Sequence, residues 1–234
     1  MHFPDCARHR FVICNMEHQI QQTEDGSITI YLPEIDEHYH SVHGAIQESL
    51  FVFVGSGLQH LSHNGIVRIF EVGFGTGLNA LLTLDFALRN GIDVDYCAIE
   101  KYPLAADEYS QLNYVAKYPH LKDAFMLMHT AEWNRPMQIS GNFTLTKISG
   151  DLVHCDIGSG FNLVYQDAFA PDKQPELWSE AIFKRLFDAM APDGILVTYS
   201  AKGQVRRNMQ NAGFMVERLP GPPGKREMLR AIKF

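Results

Sequence analysis

Apolar and polar positions follow two rhythms along this chain, and the rhythm changes about once every dozen residues. Residues 1 to about 25 show no clear period. Asp25-Gly26 then marks a turn ahead of a short strand, 28–32. The segment 33–43 is polar and irregular, and 44–61 is apolar enough to predict a helix, with Gly55 and Gly57 near its end. From there strands and helices alternate. An apolar run, 67–72, predicts a buried strand, and the leucine-rich stretch 78–89, closed by Asn90-Gly91, predicts a helix. Strand 94–99 follows, and Pro103 opens a helix running to about residue 116. The pattern continues with a helix over 121–133 and strands over 142–148 and 161–166. Trp178, Ile182, Leu186 and Met190 form an i, i+4 stripe over 177–190, the clearest helical period in the chain. Ala191-Pro192-Asp193-Gly194 stops it. A strand over 195–200 and a helix burying Val205 and Met209, capped by Gly213, come next. Strands 214–218 and 227–233 have only a Pro/Gly loop between them, so they should pair as a hairpin.

Strand-helix alternation predicts an α/β fold, Rossmann-like, with a mostly parallel sheet covered on both faces. The C-terminal hairpin should add an antiparallel edge. The expected division is an N-terminal extension and cap segment, 1–60, followed by the Rossmann-like domain, 61–234. The four cysteines, Cys6, Cys14, Cys97 and Cys155, are scattered, which argues against zinc and a disulfide framework and for a reducing cytoplasm. No apolar run is long enough to span a bilayer, and the four apolar residues 11–14 are too few for a secretory leader. The net charge of −7 argues against a protein that coats nucleic acid. Its distribution does not. From Ala201 onward eight Lys/Arg face two acids, so this tail carries +6 and the remainder −13. Such asymmetry suits an anionic partner docking on one face.

The glycine turn carries the chemistry. Glu71-Val72-Gly73-Phe74-Gly75-Thr76-Gly77-Leu78-Asn79 joins a buried strand to a helix. Glycines there let the backbone pass close to a ligand. The spacing is not the dinucleotide fingerprint, whose third glycine position holds Leu78. Glu71, just inside the strand end, suits a ligand with positive charge better than a pyrophosphate. S-adenosylmethionine, with its sulfonium and ammonium, is such a ligand.

In an open parallel sheet, ligands bind beyond the carboxyl ends of the strands. The second strand ends in Glu100-Lys101, where a carboxylate can accept hydrogen bonds from ribose hydroxyls. Gly150-Asp151-Leu152 follows the third, with Asp151 placed for an adenine amino group and Leu152 for the ring. The fourth ends in Asp167-Ala168-Phe169-Ala170-Pro171. Here Asp167 offers a carboxylate that can hold the N–H groups of an amine and take a proton, and Phe169 and Pro171 offer apolar walls. His38, His40 and His43 lack a convincing metal-ligand frame, so no metal is expected. With Tyr39 and Ser41 they are candidates for one wall of the cleft. Lys225 and Arg226 follow a rigid loop, 219–224, and are placed to meet phosphate.

These motifs occur in one order: residues 71–79, Glu100-Lys101-Tyr102-Pro103-Leu104, Asp167-Ala168-Phe169-Ala170-Pro171 and Lys225-Arg226-Glu227-Met228. In that order they resemble the methyltransferase domain of the bacterial tRNA 5-methylaminomethyl-2-thiouridine biosynthesis enzyme. The resemblance runs from about Glu24 to the C-terminus and includes Glu37 to Gly44 and Glu48. It has no counterpart for residues 1–22. It implies a class I S-adenosyl-L-methionine-dependent fold and N-methylation of the 5-aminomethyl group on a tRNA wobble (2-thio)uridine. Asp167 takes the proposed catalytic place. Glu71, Gly73, Gly75, Gly77, Asn79, Glu100, Lys101, Gly150, Asp151 and Leu152 fall at the cofactor, together with Asp167. Phe169, Pro171, Tyr39, Ser41, Lys225 and Arg226 fall to the substrate. The chain looks like the stand-alone form, so a separate oxidase or other enzyme would supply the aminomethyl precursor.

Three other readings compete. An aminopropyltransferase of the spermidine synthase type also places an acid after the fourth strand, but a small polyamine needs acids rather than a basic tail. A nicotinamide-dependent oxidoreductase is disfavoured by Leu78 and Glu71. A non-catalytic RNA-binding module would not need the glycine motif and Asp167.

Overall fold

The computed structural model describes residues 17–62 and 65–234. Cys6, Cys14 and the N-terminal leader reading lie outside the described residues. A small antiparallel sheet comes first, made of β1 (Gln19–Gln22), β2 (Ile28–Leu32) and β3 (Glu37–His38) in that spatial order. Only β2 was legible as a strand. The predicted 44–61 helix is present in three pieces: α1 (Ala45–Ser49), a π-helical continuation Leu50–Gly55, and a 3-10 turn Leu58–His60.

Then come β4 (Val67–Val72), α2 (Leu78–Asn90) and β5 (Val94–Glu100), as predicted. The 103–116 helix is not there. One turn, α3 (Ala106–Tyr109), and a 3-10 turn, Tyr114–Ala116, replace it. The cause is Asn113, whose side chain reaches out of the segment to the β1–β2 turn. Its Oδ1 accepts the Ile28 N–H and its Nδ2 donates to the Gly26 carbonyl, both at 2.9 Å. These bonds tie the segment to the β1–β2 turn rather than to a continuing helix. α4 (Lys122–Thr130) follows, then β6 (Pro136–Ser140), which periodicity missed, and β7 (Phe143–Ser149). The chain continues with β8 (Phe161–Gln166), a 3-10 turn Pro175–Trp178, α5 (Glu180–Ala189), β9 (Met190–Thr198), α6 (Gly203–Asn211), β10 (Met215–Pro220) and β11 (Glu227–Ile232). α5 starts later than its stripe predicts because Ser179 caps it, its hydroxyl accepting the Ile182 N–H at 3.3 Å.

The main sheet has the order β10-β11-β9-β8-β4-β5-β7-β6. The five central strands, β9 to β7 in that order, pair in parallel. β11 lies antiparallel to both β9 and β10, which is the expected hairpin edge. β6 adds a second antiparallel edge opposite it. Alternate residues of β4 enter two cores. Ile69 joins Leu81, Phe53 and Ile46 on one face, so α1, its π-helical continuation and α2 cover the sheet together. Phe70 joins Ile182, Leu186 and Met209 of α5 and α6 on the other. Residues 45–58 therefore share a core with the Rossmann-like sheet. Among the described residues no helix is long and apolar enough to cross a membrane.

Candidate active site

β4 pairs with β5 on one side and β8 on the other, and the chain passes from β4 to β5 in one direction across the sheet but from β8 to β9 in the other. That reversal opens a crevice at the strand ends, where ligands of such sheets bind. A cleft of about 810 Å³, partly open to solvent, lies there, across the ends of β4, β5, β7 and β8. Most of the predicted site residues are on its wall. Gly73, Gly75 and Asn79 come from the β4 turn, and Glu100 and Lys101 from β5. Gly150, Asp151 and Leu152 follow β7, and Asp167 and Phe169 follow β8. Tyr39 reaches the wall from just after β3.

Two glycines are required by close approach. Gly73 has φ 88°, and a Cβ there would sit 3.1 Å from the Asp167 carbonyl oxygen. Gly75 has φ 47°, and a Cβ there would meet the Tyr39 ring at 3.1 Å. Both dihedrals favour glycine, and the two neighbours bring the Asp167 loop and the cap segment against the turn. Glu100 fixes the turn from the other side. Its two carboxylate oxygens accept the N–H of Gly75 at 2.9 Å and of Tyr102 at 2.8 Å. Burial still raises its pKa, against those two hydrogen bonds. Each oxygen keeps a lone pair for a hydroxyl of a ligand. Lys101 and Asp151 form an ion pair at 2.7 Å across the mouth. Burial works against the Asp151 charge, but the Lys101 ammonium and the Val153 N–H hold its pKa below the usual range.

The floor is a buried acid network. Asn79 donates from Nδ2 to Glu71 Oε1 at 2.9 Å and to Asp167 Oδ2 at 2.7 Å. Burial lifts the Glu71 pKa well above the carboxylate range, and the nearby Asp167 adds to it. Burial does the same to Asp167, with the Glu48 carboxylate raising it further and Asn79 and Lys225 opposing. The Asp167 loop is pinned by three partners. Tyr199 donates to the Ala168 carbonyl and Trp178 to the Phe169 carbonyl, both at 2.8 Å, and the Phe169 N–H donates to Gln174 at 3.1 Å. Phe169 then stands edge-on to Tyr39, ring centres 5.0 Å apart.

Some expectations need correction. Glu71 is 1% exposed and lies beneath the cleft, so it acts on the cleft through Asn79 rather than by facing it. Gly77 is the left-handed N-cap of α2, packed against Phe74 and His129 rather than lining the wall. Ser41 is also off the wall, its N–H donating to Glu48. Pro171 sits behind Phe169 in the pinned loop and is not on the wall. Lys225 keeps about 33% of its side chain exposed, but its ammonium is already paired within the fold. It pairs with Glu48 at 2.5 Å and lies 4.0 Å over the Tyr199 ring, because a 177-residue separation in sequence closes to contact in the fold. Arg226, next to it, is exposed. The basic tail is partly neutralised within the fold: Lys202 pairs with Asp172, Arg218 with Glu227 and Arg230 with Glu217.

His38, His40 and His43 bond to Gln21, Thr76 and Glu24 respectively, three separate partners. Among the described residues no group of three or more His, Cys, Asp or Glu could hold a metal ion. Of the three histidines expected along the wall, His40 lines the cleft and His38 and His43 do not. His40 is 2.6 Å from the Thr76 hydroxyl in the glycine turn, and burial pushes its pKa down to about 4, so it is neutral at physiological pH. Ile99 at the end of β5, Gln174 and Leu177 also line the cleft and were not singled out, because an apolar or amide side chain at a strand or turn end carries no signal of its own.

The residues suit a cationic, nucleoside-bearing group. Glu71 Oε2 and Asn79 Oδ1 are buried acceptors without a hydrogen-bond partner among the described residues, beneath a glycine turn that a Cβ would crowd. Glu100 and Leu152 both line the cleft, where the first could accept from ribose hydroxyls and the second could pack on a base. Comparison with known proteins agrees. Residues 115–234 match the family described as S-adenosyl-L-methionine-dependent methyltransferase. A tRNA 5-methylaminomethyl-2-thiouridine biosynthesis bifunctional protein MnmC of Pseudomonas aeruginosa is 31% identical over 208 residues, covering 82% of this chain. The match spans 31% of that relative's own length. The crystal structure of MnmC2 from Aquifex aeolicus superposes with a TM-score of 0.72 at 26% identity, covering 93% of this chain and 70% of that one. Spermidine synthase from Thermotoga maritima superposes with a TM-score of 0.54 at 12% identity, covering 94% and 75%, a likeness of fold alone. A glycine turn against Asp167, an acid network below it and these matches together place the chain in the S-adenosyl-L-methionine-dependent methyltransferases, as a member of the MnmC methyltransferase-domain family.

Proposed function

We propose that the chain N-methylates the 5-aminomethyl group of a wobble (2-thio)uridine in tRNA, with Asp167 as the group that holds the amine and takes its proton. The observation that carries this reading is the placement of Asp167. It lies on the cleft wall, hydrogen-bonded by Asn79, in a loop pinned by Tyr199, Trp178 and Gln174. When bound, S-adenosyl-L-methionine supplies a methyl group on a positively charged sulfur. Asp167 accepts hydrogen bonds from the amine N–H groups, which aims the nitrogen lone pair into the cleft. A free alkylamine has a pKa of about 10.4, so the ammonium must lose a proton before it can react. A carboxyl whose pKa is raised by burial is a better acceptor for that proton than an exposed aspartate. Phe169 and Tyr39 close the wall beside it and limit water. The aminopropyl-transfer alternative has less support, since its structural relative shares the fold alone.

The test is nucleoside mass spectrometry of tRNA carrying the unmethylated aminomethyl group, after incubation with the protein and donor. A methylated wobble nucleoside is expected. Unchanged tRNA alongside aminopropylated putrescine, with decarboxylated donor, would favour the other chemistry. The exposed Arg226 is proposed to meet a phosphate, so Arg226→Ala should weaken tRNA binding and reduce the slope of log K against log salt by roughly 0.7–0.9. A slope equal to wild type would remove Arg226 from the docking face.

Donor binding should depend on pH. Glu71 and Asp167 keep their protons to higher pH than ordinary carboxyls in the free protein. A cationic ligand favours their ionised forms. Below the raised pKa values binding must expel protons, so affinity falls as pH falls and proton release accompanies binding. Calorimetry in buffers of different ionisation enthalpy reads both. A flat affinity with no proton release would show that the floor acids do not sense the ligand.

A further inference from the structure

Glu48 and Lys225 come from opposite ends of the chain and meet against Tyr199, which bonds to the Asp167 loop. Glu48, in α1, is buried, with its side chain 10% exposed. Its Oε2 accepts the Ser41 N–H at 3.1 Å and its Oε1 meets Lys225 Nζ at 2.5 Å. Lys225 lies on the β10–β11 loop, held by the bond from its own N–H to the Pro222 carbonyl at 2.9 Å. Its ammonium is 4.0 Å over the Tyr199 ring, and the Tyr199 hydroxyl donates to the carbonyl of Ala168, next to Asp167. The pair therefore rests on the same tyrosine that pins the Asp167 loop. The Glu48 carboxylate opposes ionisation of Asp167, and would do so more strongly without its lysine partner.

We infer that Lys225 is a positioning residue which, by pairing with Glu48 against the tyrosine that pins the Asp167 loop, offsets the Glu48 charge at the Asp167 carboxyl. The inference rests on the reading of Asp167 as the proton acceptor. The groups around Asp167 are Glu71 on β4, Asn79 on α2, Tyr96 on β5, Tyr199 after β9, Glu48 on α1 and Lys225 on the hairpin loop. Lys225 is the cation of this set. Glu48 acts to raise the Asp167 pKa and Lys225 to lower it. Neutralising each partner in turn should therefore move Asp167 in opposite directions. An ion pair that merely clamps the cap segment to the hairpin would not.

The experiment titrates the Asp167 carboxyl by ¹³C NMR in the free protein and records kcat/KM against pH with tRNA. Lys225→Met should move the Asp167 titration and the acid limb of the profile up by about one pH unit. Glu48→Gln, which keeps an acceptor for Ser41, should move both down by a similar amount. The double variant should fall between the two, and Lys225→Arg should stay near wild type. The salt slope of tRNA binding should be the same in Lys225→Met as in wild type. Shifts in one direction for both single variants, or no shift in either, overturn the inference. If Lys225→Met does not fold, the direction seen in Glu48→Gln decides alone: downward supports, unmoved or upward overturns. The NMR titrations need no turnover, so a wild-type protein inactive on tRNA would refute the functional reading while leaving this test intact.

Discussion

Replacing Asp167 with alanine is expected to lower methyl transfer by about 10²–10⁴-fold, the usual worth of a positioned proton acceptor. Donor affinity should change by less than about tenfold, or 1.4 kcal/mol. The two effects separate because the donor's other contacts lie elsewhere on the wall, at Glu100, Leu152 and the glycine turn. Asp167→Asn is the sharper control. It keeps an oxygen for the Asn79 amide, now 2.7 Å from Asp167 Oδ2, but cannot take a proton. It should be about as inactive as the alanine variant. Single-turnover rates at saturating donor and calorimetry of donor binding measure the two quantities. An asparagine variant with most of its turnover would mean that the proton leaves by another route, such as water.

Replacing Glu100 with alanine is expected to do the reverse. Donor affinity should fall by roughly 10²–10⁴-fold, while the rate at saturating donor changes much less. Each hydrogen bond to a charged group contributes about 1.5–3 kcal/mol, and two are lost to a ribose. Glu100 also holds the N–H groups of Gly75 and Tyr102, so its removal loosens the turn against which the ligand rests. Glu100→Gln keeps one acceptor oxygen and should lose less. Calorimetry across the three proteins reads the series. Equal affinity in all three would remove Glu100 from the ribose site.

The sequence exposed the parts of this site that are local. A strand that runs into glycines, or ends in an acid, announces itself within ten residues, and Gly73, Gly75, Glu100 and Asp167 all fall on the cleft wall. It concealed the parts made by contact between distant segments. The Glu48–Lys225 pair spans 177 residues, and Lys225 read as a phosphate ligand because its partner could not be seen. The same holds for the unwound segment 103–116, where Asn113 bonds to backbone 87 residues away. β6 escaped for a different reason. It is a short edge strand with one buried residue, Ile139, and it opens on a proline, so neither alternation nor burial marks it. Tyr39 and His40 lie in a polar, aperiodic stretch, yet the first packs on Gly75 and the second on Thr76.

Both large effects assume one arrangement: the donor's ribose on Glu100 and its sulfur turned toward Asp167. A crystal structure with S-adenosyl-L-homocysteine tests it most directly. The expected result is a nucleoside between Glu100 and Leu152, with the sulfur facing the Asp167 carboxyl over the Gly73 turn. A ligand bound outside this cleft, or inside it with the sulfur directed away from Asp167, would contradict the account.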